Sequence, residues 1–112
     1  VDDPRGPDFT LFVYGGGFLE KEDKTKFREG FAVPKDAPPC FFVVAHNDGN
    51  NPLEAGELYL AYKRLDRPAE LHVYAKGGHG FGTRATNHPV DGWTRTAGEW
   101  MRSQGFLEAT PK

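Results

Sequence analysis

Cys40-Phe41-Phe42-Val43-Val44-Ala45 is a run of six apolar residues in a chain of 112. Side chains along a strand point alternately to its two faces, so a strand that is apolar at every position needs cover on both. The run predicts a central strand of a parallel sheet with helices above and below it. His46-Asn47-Asp48-Gly49-Asn50 closes that strand with turn-forming residues.

The segments on either side complete the pattern. Asn51-Pro52-Leu53-Glu54 reads as a helix start in which Asn51 caps, Pro52 takes the first helical position and Glu54 bonds back to the cap. Leu58, Ala61, Tyr62 and Leu65 recur at helical spacing and predict one buried stripe, with the helix ending before Pro68. Residues 69–75 form a further strand, with Leu71 and Val73 on one face and His72 and Tyr74 on the other. Upstream, Phe9-Thr10-Leu11-Phe12-Val13-Tyr14 is rich in β-branched and aromatic residues and stops at Gly15-Gly16-Gly17, which predicts a first strand. Residues 20–26 carry mixed charges without apolar periodicity and read as a solvated loop that continues to Pro38-Pro39. Trp93, Ala97, Trp100 and Met101 predict a last amphipathic helix with the tryptophans as core anchors, and Gly105 is placed to end it. The order strand, strand, helix, strand, helix defines an α/β fold.

Composition narrows the partners. With 38% hydrophobic and 13% aromatic residues, residues 1–112 are compatible with one small globular domain and do not require two. The net charge is −2 with signs mixed along the chain, so no basic stripe exists to release counterions from nucleic acid and no polybasic patch to meet an anionic membrane. Neither partner is expected. The six residues 40–45 fall far short of the ~20 needed to span a bilayer, and no signal-peptide core is visible at the N-terminus. The single cysteine, Cys40, excludes an intrachain disulfide and is expected simply to fill a strand start. Because the chain opens Val1-Asp2-Asp3-Pro4 without methionine, it is expected to be processed, trimmed or part of a longer reading frame.

Two residues carry the chemistry. A right-handed crossover through the helix at 52–65 makes strands 40–45 and 69–75 parallel neighbours about 4.8 Å apart, so the loops leaving their carboxyl ends emerge side by side. Asp48 follows the first of these strands, and His79 follows the second in Gly77-Gly78-His79-Gly80-Phe81-Gly82. Acid then histidine, each past the end of a strand, is the order of the last two members of a Ser…Asp…His hydrolase triad. An aspartate accepting the imidazole Nδ1 hydrogen leaves Nε2 to take a proton from a nucleophile. The nucleophile is missing: Ser103, the only serine, lies downstream of both partners, and no Gly-x-Ser-x-Gly turn can be drawn. Tyr14-Gly15-Gly16-Gly17-Phe18 resembles an oxyanion loop, but such a loop precedes a nucleophile elbow, and none follows; a glycine-rich strand exit is expected. His46, Asp48, His79 and His88 have no helical ligand spacing and no cysteine pair, so a metal is not expected. No cofactor is expected either, since the glycines at 77–82 open no helix for a nucleotide.

Pro7-Asp8-Phe9-Thr10-Leu11-Phe12-Val13-Tyr14, Lys35-Asp36-Ala37-Pro38-Pro39-Cys40-Phe41-Phe42-Val43, Pro68-Ala69-Glu70-Leu71-His72-Val73-Tyr74 and the glycine-flanked His79 together resemble the C-terminal half of bacterial α/β-hydrolase esterases of the acetyl-esterase and acetyl-xylan-esterase-like group, related to dienelactone hydrolases. His88-Pro89-Val90-Asp91-Gly92-Trp93 resembles the approach to that group's last helix. Its acid sits in an Asp-x-Val-Val-Pro-like turn, and Asp48-Gly49-Asn50-Asn51-Pro52 matches at the aspartate and proline, with asparagines in place of the valines.

The resemblance implies the C-terminal part of a doubly wound α/β-hydrolase sheet, three mainly parallel strands with flanking helices, in which Asp48 is the triad acid and His79 the base. It implies a serine esterase acting on short-chain acyl esters, carried by a small molecule or a carbohydrate, whose serine and oxyanion hole belong to a missing N-terminal half. A secreted or periplasmic location is open on the same ground, and the isolated chain is expected to be inactive. A prolyl-oligopeptidase-type serine peptidase shares this layout and stays open as an alternative, as does a non-catalytic interaction domain derived from the fold.

Overall fold

Three strands, β1 (Thr10–Val13), β2 (Cys40–Ala45) and β3 (Ala69–Tyr74), form one parallel sheet in the order β1-β2-β3. This computed structural model describes residues 9–13, 15–83 and 85–106. Tyr14, the expected last residue of the first strand, lies outside the described residues, as do Val1, Pro7 and Asp8. Helix α1 (Asn51–Arg64) connects β2 to β3, and a single 3₁₀ turn, Pro89–Gly92, leads into α2 (Trp93–Ser103).

Every residue of β2 is buried, none more than 2% exposed. The alternation of the strand divides these residues between two cores. Phe41 and Val43 pack with Phe81, Val90, Ala97 and Trp100 on the α2 side. Cys40 and Phe42 pack with Ala37, Leu58 and Tyr62 on the α1 side. Helices therefore cover both faces, as a doubly wound sheet requires, and removing each Phe side chain of β2 from water contributes roughly 1.5–3 kcal/mol. Leu71 of β3 joins the α1-side core while Tyr74 joins the other, so the two expected faces of that strand are realised.

Two local expectations are corrected. The cap position of α1 is Asn50, not Asn51, and its side chain makes no capping bond. Glu54 does not bond back to the cap: it is buried, and its carboxylate accepts the main-chain N–H of Phe18 at 2.6 Å and of Leu19 at 3.3 Å. The reason is competition, since the Asn51 N–H already donates to the Asp48 carbonyl at 3.0 Å while two amides of a distant loop present themselves to the carboxylate. The buried stripe of α1 is correspondingly shifted to Glu54, Ala55, Leu58 and Tyr62, while Leu65, almost one turn beyond Tyr62, lies past the helix end and is exposed.

The loop after β1 is less open than its charges imply. It folds back on itself through a single antiparallel bridge between Leu19 and Phe27, which buries Leu19 and brings Phe18, Phe27 and Phe31 together over the α1-side core. Gly105, with φ of 83°, follows α2 in the left-handed conformation that ends helices.

Candidate active site

β2 and β3 run in register to their carboxyl ends, Ala45 opposite Tyr74, and the His46 N–H donates to the Tyr74 carbonyl at 2.6 Å. The turn that follows β2 and the loop that follows β3 therefore leave the sheet side by side. The Asp48 N–H donates to the Ala45 carbonyl at 3.1 Å and the Asn51 N–H to the Asp48 carbonyl at 3.0 Å, which folds the turn tightly between strand and helix.

The loop carrying His79 is fastened on both sides. The Gly78 N–H donates to Asn47 Oδ1 at 2.8 Å. Phe81 is buried in the α2-side core, and Trp93 Nε1 donates to the Gly82 carbonyl at 2.7 Å. Between these anchors the backbone reverses at Gly78 and Gly80, with φ of 63° and 74°, values that favour glycine and that put the imidazole over the acid turn.

Asp48 and His79 meet there. His79 Nδ1 lies 3.0 Å from Asp48 Oδ2, a distance at which the ring N–H donates to the carboxylate. The acid side chain is 8% exposed and the histidine side chain 62% exposed, so the carboxylate is shielded from competing water while the ring reaches the surface. An N–H on Nδ1 leaves the ring's lone pair on Nε2, the atom a general base uses.

Asn51 belongs to the same constellation, and the sequence reading missed it. Its Nδ2 donates to Asp48 Oδ2 at 3.0 Å and lies 3.3 Å from His79 Nδ1. Gly16, in the strand exit after β1, packs against it, where a Cβ would fall 2.4 Å from Asn51 Oδ1. The only signal in the sequence was the pair of asparagines in the acid turn, where a local turn preference accounts for them equally well.

Two other histidines and the serine have partners of their own. His72 Nε2 pairs with Glu70 Oε2 at 2.6 Å along β3, and the His88 N–H donates to Thr86 Oγ1 within its own turn. Among the described residues, no three histidine, cysteine, aspartate or glutamate side chains gather as a metal site. Ser103 Oγ donates to the Trp100 carbonyl at 2.7 Å in the last turn of α2. Burial pushes the Cys40 thiol up to about 12, which marks a packed and unreactive group. No helix among the described residues is long and apolar enough to cross a membrane.

No protein-family model matches the sequence, and no curated protein matches it. Solved structures do. The acetyl ester-xyloside bifunctional hydrolase from Caldicellulosiruptor lactoaceticus superposes with a TM-score of 0.74 at 23% identity, over 91% of this chain and 44% of that one. MGS-M1, an α/β hydrolase from a Medee basin deep-sea metagenome library, superposes with a TM-score of 0.68 at 16% identity, over 90% of this chain and 46% of that one. The chain thus has an α/β-hydrolase-type fold and spans less than half the length of either structure.

Proposed function

We propose that this chain supplies the acid and the base of a serine carboxylic-ester hydrolase, Asp48 and His79, and that the serine nucleophile and the oxyanion hole come from a segment outside these 112 residues. The observation that carries the reading is the 3.0 Å contact between His79 Nδ1 and Asp48 Oδ2 at the carboxyl ends of two adjacent parallel strands. The engagement of Ser103 in the last turn of α2 supports an outside nucleophile.

In this reading His79 Nε2 removes the serine proton as the oxygen attacks the acyl carbonyl, then returns it to the departing alcohol. Asp48 holds the ring tautomer and stabilises the imidazolium while both steps occur. Water repeats the cycle on the acyl-enzyme and releases the acid. A short-chain acyl ester, acetyl first, is the substrate class, in line with the acetyl-ester activity in the name of the Caldicellulosiruptor protein. The missing nucleophile also favours one reading of another class, a non-catalytic interaction domain.

The coding sequence upstream of Val1 separates the two. A Gly-x-Ser-x-Gly motif in frame, followed by stoichiometric fluorophosphonate labelling of the complete protein and turnover of p-nitrophenyl acetate, is the result expected. An upstream sequence without such a motif favours the interaction domain.

A further inference from the structure

Two hydrogen bonds to the Asp48 side chain land on the same oxygen: His79 Nδ1 and Asn51 Nδ2 each stand 3.0 Å from Oδ2. A carboxylate held by one donor can rotate and offer either oxygen, whereas a second donor fixed to a helix start allows one rotation only. Asn51 is such a donor, because it is the first residue of α1 and its main chain is tied to the Asp48 carbonyl.

The orientation of the Asn51 amide follows from its surroundings. Turned over, it would set Oδ1 against the Asp48 carboxylate, two acceptors face to face. As it stands, Oδ1 lies against Gly16, where even a methyl group would come to 2.4 Å. Gly16 is in turn held by its neighbours, since the Phe18 and Leu19 amides are bound by the buried Glu54 carboxylate almost one turn along the same helix. Acid turn, helix start and glycine-rich strand exit therefore close on one side chain.

The ring has two neutral tautomers, and Asn51 bears on the choice between them. With the proton on Nδ1, the bond to Oδ2 is charge-assisted. With the proton on Nε2, Nδ1 would accept from Asn51 Nδ2 across 3.3 Å while its lone pair faced the carboxylate. The first arrangement is the stronger by the charge on its acceptor, provided that Oδ2 is kept turned toward the ring.

We propose that Asn51 is a positioning residue of the Asp48–His79 pair, fixing Oδ2 toward the ring and so strengthening the bond it accepts from His79 Nδ1–H, and that Gly16 acts through it by leaving room for the amide. This rests on the acid-base reading of the pair. The catalytic groups remain Asp48 and His79; Asn51 acts through Asp48 Oδ2 and takes no part in the proton transfer at Nε2.

The test uses the complete protein with Asn51→Ala, Gly16→Ala and the double substitution. Gly16 has no left-handed backbone, and alanine is well tolerated at a helix start, so all three variants are expected to fold, which thermal melting checks. Proton and nitrogen-15 spectra of the imidazole should show the Nδ1–H form in the parent, its proton far downfield in the bond to Oδ2, and an upfield move of that proton in each variant. On p-nitrophenyl acetate each single substitution should lower kcat by about 10–100-fold with KM little changed, a loss typical of a removed outer hydrogen bond. The double substitution should cost no more than either single one, since Gly16 acts only through Asn51. An unchanged Nδ1 proton shift in Asn51→Ala, or additive losses in the double variant, overturns the proposal. A protein without esterase activity would refute the functional reading, and the ring nitrogens would still decide this one.

Discussion

Glu54 Oε1 accepts the Phe18 amide hydrogen at 2.6 Å across 36 positions in the chain, joining the first turn of α1 to the strand exit that borders the acid turn. Glu54 is 3% exposed, and the donors in that contact are backbone N–H groups, which carry the compensation for its burial.

Removing that carboxylate should therefore leave two amides unserved. Glu54→Ala should destabilise the complete protein by about 1–3 kcal/mol, and Glu54→Gln, which keeps an acceptor, by clearly less. Urea denaturation midpoints at constant m-value measure this; equal losses for both variants would show that the amide bonds are not what Glu54 contributes.

Alkaline pH should loosen the α1-side core. Burial pushes the Cys40 thiol from 9.0 up to about 12, and burial followed by the charge of Cys40 pushes the Tyr62 phenol from 10.0 up to about 12. Both groups release their protons earlier in the unfolded chain than in the folded one, so their contribution to stability is complete below about pH 9 and is lost as pH rises toward 12. Melting temperatures should hold level to about pH 9 and then fall, with the onset moved toward about pH 10 in Cys40→Ala. A level profile to about pH 11 would contradict the burial argument.

The outer edge of β1 bears on what the chain does alone. β1 pairs with β2, and among the described residues no strand lies on its other side; Leu11, near its middle, is 38% exposed. An apolar edge with unpaired amides templates association. We expect the 112-residue chain by itself to self-associate or pack loosely, and to regain cooperative melting when the proposed N-terminal half is present. A monomeric peak on size exclusion with a sharp, reversible transition would mean that the chain is sufficient by itself.

What the sequence disclosed follows the range of the interactions involved. β2 was legible because an all-apolar hexapeptide has one economical environment, and β3 and α2 because alternation and helical spacing are local patterns. The contact between Asp48 and His79 was legible through topology, as two loops leaving adjacent parallel strands. Asn51, Gly16 and Glu54 were not. Each has a sufficient local explanation, a cap, a flexible exit and a capping-box acid, and each was redirected by a distant partner, 35 positions away in the case of Glu54 and Leu19 and 28 in the case of Asn51 and His79. The stripe of α1 was legible at Leu58 and Tyr62 and differs at its ends, where Glu54 and Ala55 are also buried and Leu65 lies past the last helical residue.

If His79 moves the protons of ester hydrolysis while Asp48 orients its ring, the decisive readout is kcat for p-nitrophenyl acetate in the complete protein. His79→Ala and Asp48→Ala should each lower kcat by about a thousandfold or more, while His46→Ala and His88→Ala change it several-fold at most. Losses at His88 comparable to those at His79, or near-parent rates in His79→Ala, would mean that another group moves the proton.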